Sequence, residues 1–129
     1  PHVPKCHSWV ITEYGRGLVV DRICRTDLTP APTLHEAVAS GEISKEQALT
    51  LTDLGFSSMI ANNIVVVDYH PDHMLVSGDS AGQRHLVVVD GLGSRHLGPR
   101  YWLRTRIPAY GRKKTRAVWE QIKTLLVKT

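Results

Sequence analysis

Two valine triplets, Val65–Val67 and Val87–Val89, each run straight into an aspartate within IVVVDYHPDHMLVSGDSAGQRHLVVVDGLG, residues 64–93. Consecutive β-branched side chains are stiff at χ1 and favour extended backbone. Asp68 and Asp90 therefore sit at the mouth of a buried strand or turn, where a carboxylate is held rigidly and still reaches a ligand. Between them the turn-rich Gly78–Gly82 segment separates two further apolar runs, which predicts a β-hairpin of Met74–Ser77 and His85–Val89.

The 129 residues suffice for one domain with a real core. With 42% hydrophobic and 22% charged residues the composition is that of a globular protein, and no apolar run approaches the ~20 residues of a membrane span, so no membrane partner is expected. No secretory leader is evident, and Cys6 and Cys24 lack the spacing of a disulfide framework or a thiolate zinc site. Free thiols in a reducing, cytoplasmic compartment are expected. Charge is unevenly distributed. Residues 1–94 hold six basic and eleven acidic side chains, net −5, whereas residues 95–129 hold ten basic side chains against Glu120 alone, net +9. Such a tail suits an anionic partner or a solvated helix face.

Along the chain, Ser8–Thr12 and Gly17–Ile23 read as a hairpin across the spacer Glu13–Arg16. Gly15 and Gly17 do not form a phosphate loop, because neither GxGxxG nor GxxxxGK[ST] follows. Thr33 with Glu36 is a capping box opening a short helix that Gly41 can stop. Ser44 with Gln47 opens a longer one through about Asn62, with Ala48, Leu51, Gly55 and Met59 on one side and Leu49, Phe56 and Ile60 nearby, a face broad enough to be buried on much of its circumference. An amphipathic helix from about Lys113 to Val127 aligns Val118, Ile122, Leu125 and Leu126, with Trp119 beside them.

A long helix, a short apolar run, Asp68, His73 five residues on, a hairpin, then Asp90–Gly91: this is the order of elements in the catalytic half of a protein-kinase-like lobe. Phosphoryl transfer asks for hard oxygen ligands fixed around a metal that bridges phosphates. Against the pattern HRDLKPEN, residues Val66–His73 keep the aspartate and the proline, Asp68 and Pro71, but put valines for His and Arg and His73 for the terminal Asn. Val87–Gly91 resembles the run into DFG without its phenylalanine.

Taken with Val3–Pro4, His7, the stretch VITEYGRGLVVDRI, Thr33–Leu34, Asn62–Val65, Asp90–Gly93, and the basic tail bearing Trp102 and Trp119, the chain resembles the YrbL-type kinase-like family of the PhoP regulatory network. The likeness runs from about His2 to Ile122. It implies an α+β, protein-kinase-like fold: residues 1–23 as the last strands of the small lobe and hinge, and residues 24–129 as a reduced, mainly helical large lobe. It further implies Mg²⁺-ATP-dependent phosphoryl transfer to an unknown acceptor when the protein is complete. Asp68 would be catalytic, Asp90 and His73 would be metal ligands, and Asp21, Arg22 and Ile23 would contact the nucleotide, with Arg22 to Arg25 near the adenine edge. The Gly-rich loop, strand lysine and helix glutamate of a kinase would precede Pro1, so a fragment of a longer protein is expected.

Other readings stay open beside it. Without the His-Arg pair, the Asn and the Phe, the chain fits a pseudokinase that binds or regulates without transfer. The cluster Arg112, Lys113, Lys114 and Arg116 suits a weaker alternative, a basic nucleic-acid-binding module, although no RNP-like motif accompanies Tyr101, Trp102 and Tyr110. His70, Asp72 and His73 could form a zinc-type site. His7, His35, His85 and His96 are expected to be scattered core or surface histidines.

Overall fold

A computed structural model describes residues 2–68, 70–78, 82–93 and 98–128, with the backbone only of Arg104. Among the described residues the architecture is α+β: two small antiparallel sheets and four α-helices. Strands β1 (Cys6–Thr12) and β2 (Gly15–Val20) form one hairpin, and β3 (Met74–Gly78) and β4 (Arg84–Val88) form the other. The helices are α1 (Leu34–Ala39), α2 (Lys45–Ala61), α3 (Pro99–Arg106) and α4 (Pro108–Lys128). Among the described residues no helix is long and apolar enough to cross a membrane.

The first hairpin turns more tightly than the sequence suggests. Thr12 pairs with Gly15, leaving only Glu13 and Tyr14 in the turn, and β2 ends at Val20 rather than Ile23. Gly15 takes φ +111°, open to glycine alone at little cost, and the Thr12 hydroxyl both donates to the Gly15 carbonyl (2.8 Å) and accepts from the Tyr14 N–H (3.2 Å).

Helices α1 and α2 start where their capping residues predict. The Thr33 hydroxyl accepts from the Glu36 N–H while the Glu36 carboxylate accepts from the Thr33 N–H (2.8 Å), and Ser44 and Gln47 repeat the exchange. Gly41, at φ +74°, closes α1 as expected. Helix α2 buries one face, Ala48, Thr52, Gly55, Phe56, Met59 and Ile60, and leaves Thr50, Asp53, Leu54 and Ser57 exposed, so it is less enclosed than its apolar content suggests. Gly55 is the point of closest approach to the sheet: an added Cβ would lie 3.3 Å from Leu86 of β4.

Sequence periodicity misses α3 and starts α4 too late. Both helices begin with proline, at Pro99 and Pro108, where the absent N–H costs nothing because the first turn has no intrahelical acceptor for it. Arg112–Arg116 consequently lie beyond the first turn of α4, with Lys113 and Arg116 exposed and Arg112 and Lys114 half-buried. Helix α4 turns Gly111, Thr115, Val118 and Ile122 inward, whereas Leu125, expected on the apolar face, is exposed.

A single core joins these parts: Leu34 and Ala37 of α1, Ala48, Phe56 and Met59 of α2, Met74 and Val76 of β3, Leu86 and Val88 of β4, and Val118 and Ile122 of α4, with Ile43 and Val66 from the connections. Trp119 stacks on Phe56 at 6.3 Å and donates its indole N–H to Asp53 (2.8 Å), fastening α4 to α2. The start of the chain belongs to this body: the His2 carbonyl accepts from the Val88 N–H (2.9 Å), and its ring Nδ1 lies 2.8 Å from the Leu86 carbonyl. The tip of the β3–β4 hairpin, expected at Gly78–Gly82, includes Asp79, Ser80 and Ala81, which lie outside the described residues, as do Tyr69 and His96.

Candidate functional site

Two short stretches, residues 65–67 and 91–93, are laid side by side. The Val67 N–H donates to the Gly91 carbonyl (2.8 Å), the Gly93 N–H donates to the Val65 carbonyl (2.8 Å), and Val66 and Leu92 form an antiparallel bridge. From inside, the buried Thr115 of α4 pins the first stretch, its hydroxyl accepting from the Val66 N–H (3.1 Å) and lying 3.2 Å from the Ile64 carbonyl and 3.1 Å from the Gly111 carbonyl. A helix far away in sequence thereby fixes the backbone that leads into Asp68.

Gly91 packs directly against Asp68. At φ +77° it occupies a conformation that favours glycine, and a Cβ placed there would stand 2.7 Å from the Cβ of Asp68. Asp90, one residue earlier, turns its carboxylate back on the same loop: Oδ1 accepts from the Gly91 N–H (2.6 Å). Its side chain is 71% exposed, against 26% for Asp68.

His73 stands between them. It closes a 3₁₀ turn, Pro71–His73, in which its N–H donates to the His70 carbonyl (3.0 Å), and its own carbonyl accepts from the Val89 N–H (2.9 Å). Backbone bonds thus hold His73 from both sides. Its ring Nδ1 lies 3.7 Å from Asp68 Oδ2 and its Nε2 lies 3.9 Å from Asp90 Oδ2. Both separations exceed hydrogen-bond length, and Nδ1 is buried without a hydrogen-bond partner. A half-buried carboxylate, an exposed one and an imidazole bridging the space between them can position a hydroxyl, hold a cation or exchange a proton.

The zinc-type reading is not supported. Among the described residues no group of three or more His, Cys, Asp or Glu side chains is placed to hold a metal ion. His70 and Asp72 are exposed and face each other, Nδ1 to Oδ2 at 3.3 Å, while the His73 ring is turned toward Asp68 and Asp90.

The other expected site residues occupy the segment after β2. The Asp21 carboxylate accepts from the Lys5 N–H (3.1 Å) and lies 2.6 Å from His7 Nε2, contacts that hold its pKa below the ordinary carboxylate value, with the His7 hydrogen bond the larger cause. The Asp21 N–H donates to the Lys5 carbonyl (2.9 Å), and the Ile23 carbonyl accepts from the Ala31 N–H (3.1 Å). Arg22 is exposed. His7, expected to be a core or surface histidine, lies at the surface as the partner of Asp21.

Sequence reading did not single out Thr115 or the packing role of Gly91. A threonine on the inward face of α4, in the series Gly111, Thr115, Val118 and Ile122, is the signal for the first. For the second the Asp-Gly dipeptide indicates a turn but not which residue the glycine makes room for.

A family model described as PhoP regulatory network protein YrbL matches residues 1–126. No curated protein matches the chain.

Proposed function

Because the chain belongs to the family of the PhoP regulatory network protein YrbL, we propose that it carries the large-lobe portion of a kinase-like phosphotransferase. In this reading Asp68 orients the attacking hydroxyl and accepts its proton, Asp90 is the principal ligand for the metal of a bound nucleotide, His73 is at the second metal position, and Asp21, Arg22 and Ile23 lie along the nucleotide. ATP would supply the phosphoryl group.

The observation that supports the reading is the pairing of residues 65–67 with residues 91–93, which sets Asp68 and Asp90 on either side of His73. Phosphoryl transfer relies on positioning and charge more than on covalent help from the protein. Asp68 suits a positioning role because Gly91 packs directly against it, and Asp90 suits an outward-facing ligand role because its carboxylate is exposed yet tied to the Gly91 N–H. Mg²⁺ matches Asp90, a hard oxygen donor, but does not match His73, since this ion prefers oxygen over imidazole nitrogen.

A pseudokinase is the second reading, and Val66 favours it. This residue stands where the kinase pattern has histidine, and it is fully buried in the core, so the site lacks the polar bracing that the pattern supplies at that position.

Isothermal titration of the protein with ATP and divalent metal, alongside its Asp90→Ala and Asp68→Asn variants, tests both readings. The phosphotransferase predicts saturable binding, a loss of roughly tenfold or more in Asp90→Ala, and binding retained but transfer abolished in Asp68→Asn. Equal binding by the native protein and Asp90→Ala would overturn the metal assignment. Metal-nucleotide binding without phosphate release or transfer to any acceptor supports the pseudokinase.

A further inference from the structure

Positive charge and aromatic surface are concentrated on α3 and the first half of α4, outside the set Asp68, His73 and Asp90. Residues 98–116 hold seven basic residues and no acidic one. The two helices are tied closely together: only Ile107 separates them, its N–H donating to the Leu103 carbonyl (3.0 Å) and its carbonyl accepting from the Tyr110 N–H (3.0 Å). Because α4 turns Gly111, Thr115, Val118 and Ile122 into the core, its opposite side carries Lys113 and Arg116 into solvent, and Arg100 and Arg106 of α3 are exposed as well.

Two features set these cations apart from an ordinary solvated helix face. They are not neutralised by the protein itself. Arg25 and Arg84 share Glu42, and Lys123 pairs with Glu120, but among the described residues no salt bridge reaches Arg100, Arg106, Arg112, Lys113, Lys114 or Arg116. Arg112 and Lys113 each lie one helical turn before Arg116, where like charges repel, so an anion laid along the helix relieves a standing cost. The second feature is the apolar surface left among the charges. Tyr101, Trp102, Ile107 and Tyr110 are all exposed, Trp102 with 56% of its surface in solvent. Tyr110 lines a cavity of about 200 Å³ with Lys113, Lys114 and Ala117, so a flat ring and two ammonium groups meet in one hollow.

We propose that this surface binds single-stranded nucleic acid, with the cations on phosphates and the rings of Tyr101, Trp102 and Tyr110 stacked on bases. Unpaired bases offer free faces to such rings, whereas the bases of a duplex are already stacked on one another. An anionic membrane asks for an apolar helix face set apart from the charged one. The outward side of α4 instead interleaves Tyr110 with Lys113, Arg116 and the small Ala109 and Ala117, and has no apolar face to immerse. An acidic peptide answers the charge without using the rings. The inference goes beyond the phosphotransferase reading and does not depend on it.

Fluorescence anisotropy with labelled oligouridylate and oligothymidylate of about 12 nucleotides tests the proposal, with matched duplexes and anionic phospholipid vesicles as competitors. Single strands should bind more tightly than duplexes at physiological salt. If the exposed Arg100, Arg106, Lys113 and Arg116 each neutralise one phosphate, log affinity should fall against log salt with a slope of about −3. Lys113→Gln combined with Arg116→Gln should flatten that slope by about 1.4. The same change of charge made elsewhere, Lys5→Gln with Arg16→Gln, should leave it unaltered. Trp102→Ala should weaken binding by about tenfold, and Trp102→Phe, which keeps a ring, should restore most of the loss. All the substituted side chains are exposed, so the core is untouched. Absence of binding to either single strand overturns the inference. So do equal effects of the two charge pairs, which would reduce it to net charge, and full affinity in Trp102→Ala, which would remove the stacking. Tighter binding to duplex or to vesicles would assign the surface to that partner instead.

Discussion

The two hairpins are built alike and end up in opposite surroundings. β1–β2 and β3–β4 are both two-stranded, antiparallel and rich in β-branched residues, yet every residue of the first except Gly17 is exposed, including Trp9 at 60% and Ile11 at 82%, whereas Met74, Val76, Leu86 and Val88 of the second are fully or almost fully buried. An isolated pair of strands is marginal in water, so a hairpin depends on what covers it. α1 packs on β3, α2 packs on β4 through Gly55, and His2 hydrogen-bonds along β4. The covered hairpin is also the one that holds the candidate site, since Val89 donates to the His73 carbonyl immediately after β4. Rigidity and chemistry coincide in the second hairpin; the first relies on cross-strand contacts, such as Arg16 lying over the Trp9 ring at 4.9 Å.

Paired truncations break this comparison most sharply. Leu86→Ala removes a fully buried side chain from between β4 and α2 and should cost about 3 kcal/mol in urea unfolding. Leu18→Ala, at a position 46% exposed in β2, should change stability by no more than about 0.5 kcal/mol. Similar losses from the two variants would mean that the first hairpin is covered in solution.

Gly91→Ala probes how the covered region becomes a site. It combines a left-handed backbone conformation with a Cβ set 2.7 Å from that of Asp68, and a cost of about 2 kcal/mol is expected. Its distinctive effect is local, because either Asp68 or the 91–93 segment must shift. Hydrogen exchange at Val67 and Gly93, whose amides bond across the pair, should accelerate relative to Val76 and Val88 in the sheet. Uniform acceleration would indicate global destabilisation instead.

What could be read from the sequence follows the range of the interactions involved. The capping boxes of α1 and α2 were legible because each is complete within four residues. The positions of α3 and α4 were not, because Pro99 and Pro108 break helices in the interior but start them here, and only packing decides which. The order of Asp68, His73 and Asp90 was visible, and so was the α+β class. The register that lays Val65–Val67 against Gly91–Gly93 was not: it consists of one bridge and two long-range hydrogen bonds, with no local pattern to announce it. Nor could the sequence say which way the His73 ring turns, since the alternative grouping with His70 and Asp72 is equally compatible with the spacing.

The smallest expected effect concerns α1, which covers β3 through Leu34 and Ala37 and is linked to it by the Thr33–Leu75 bridge. Thr33→Ala removes one half of the capping box and should cost about 1 kcal/mol. The other half titrates. The Thr33 N–H, and secondarily the Thr33 hydroxyl, hold the Glu36 carboxyl below its ordinary value of 4.5. A carboxyl whose pKa is lowered by folding stabilises the native state fully above its unfolded value, and that contribution is lost as pH falls through the folded value. Native protein should therefore lose stability on acidification below about pH 4.5 more steeply than Glu36→Gln, which keeps an acceptor for the Thr33 N–H but cannot titrate. Thermal unfolding of the two proteins between pH 3 and pH 6 measures the difference, expected to be small because Glu36 is exposed to solvent. Parallel curves would show that the cap on α1 acts through its hydrogen-bond geometry alone and that the cover over the second hairpin is indifferent to the charge at its helix start.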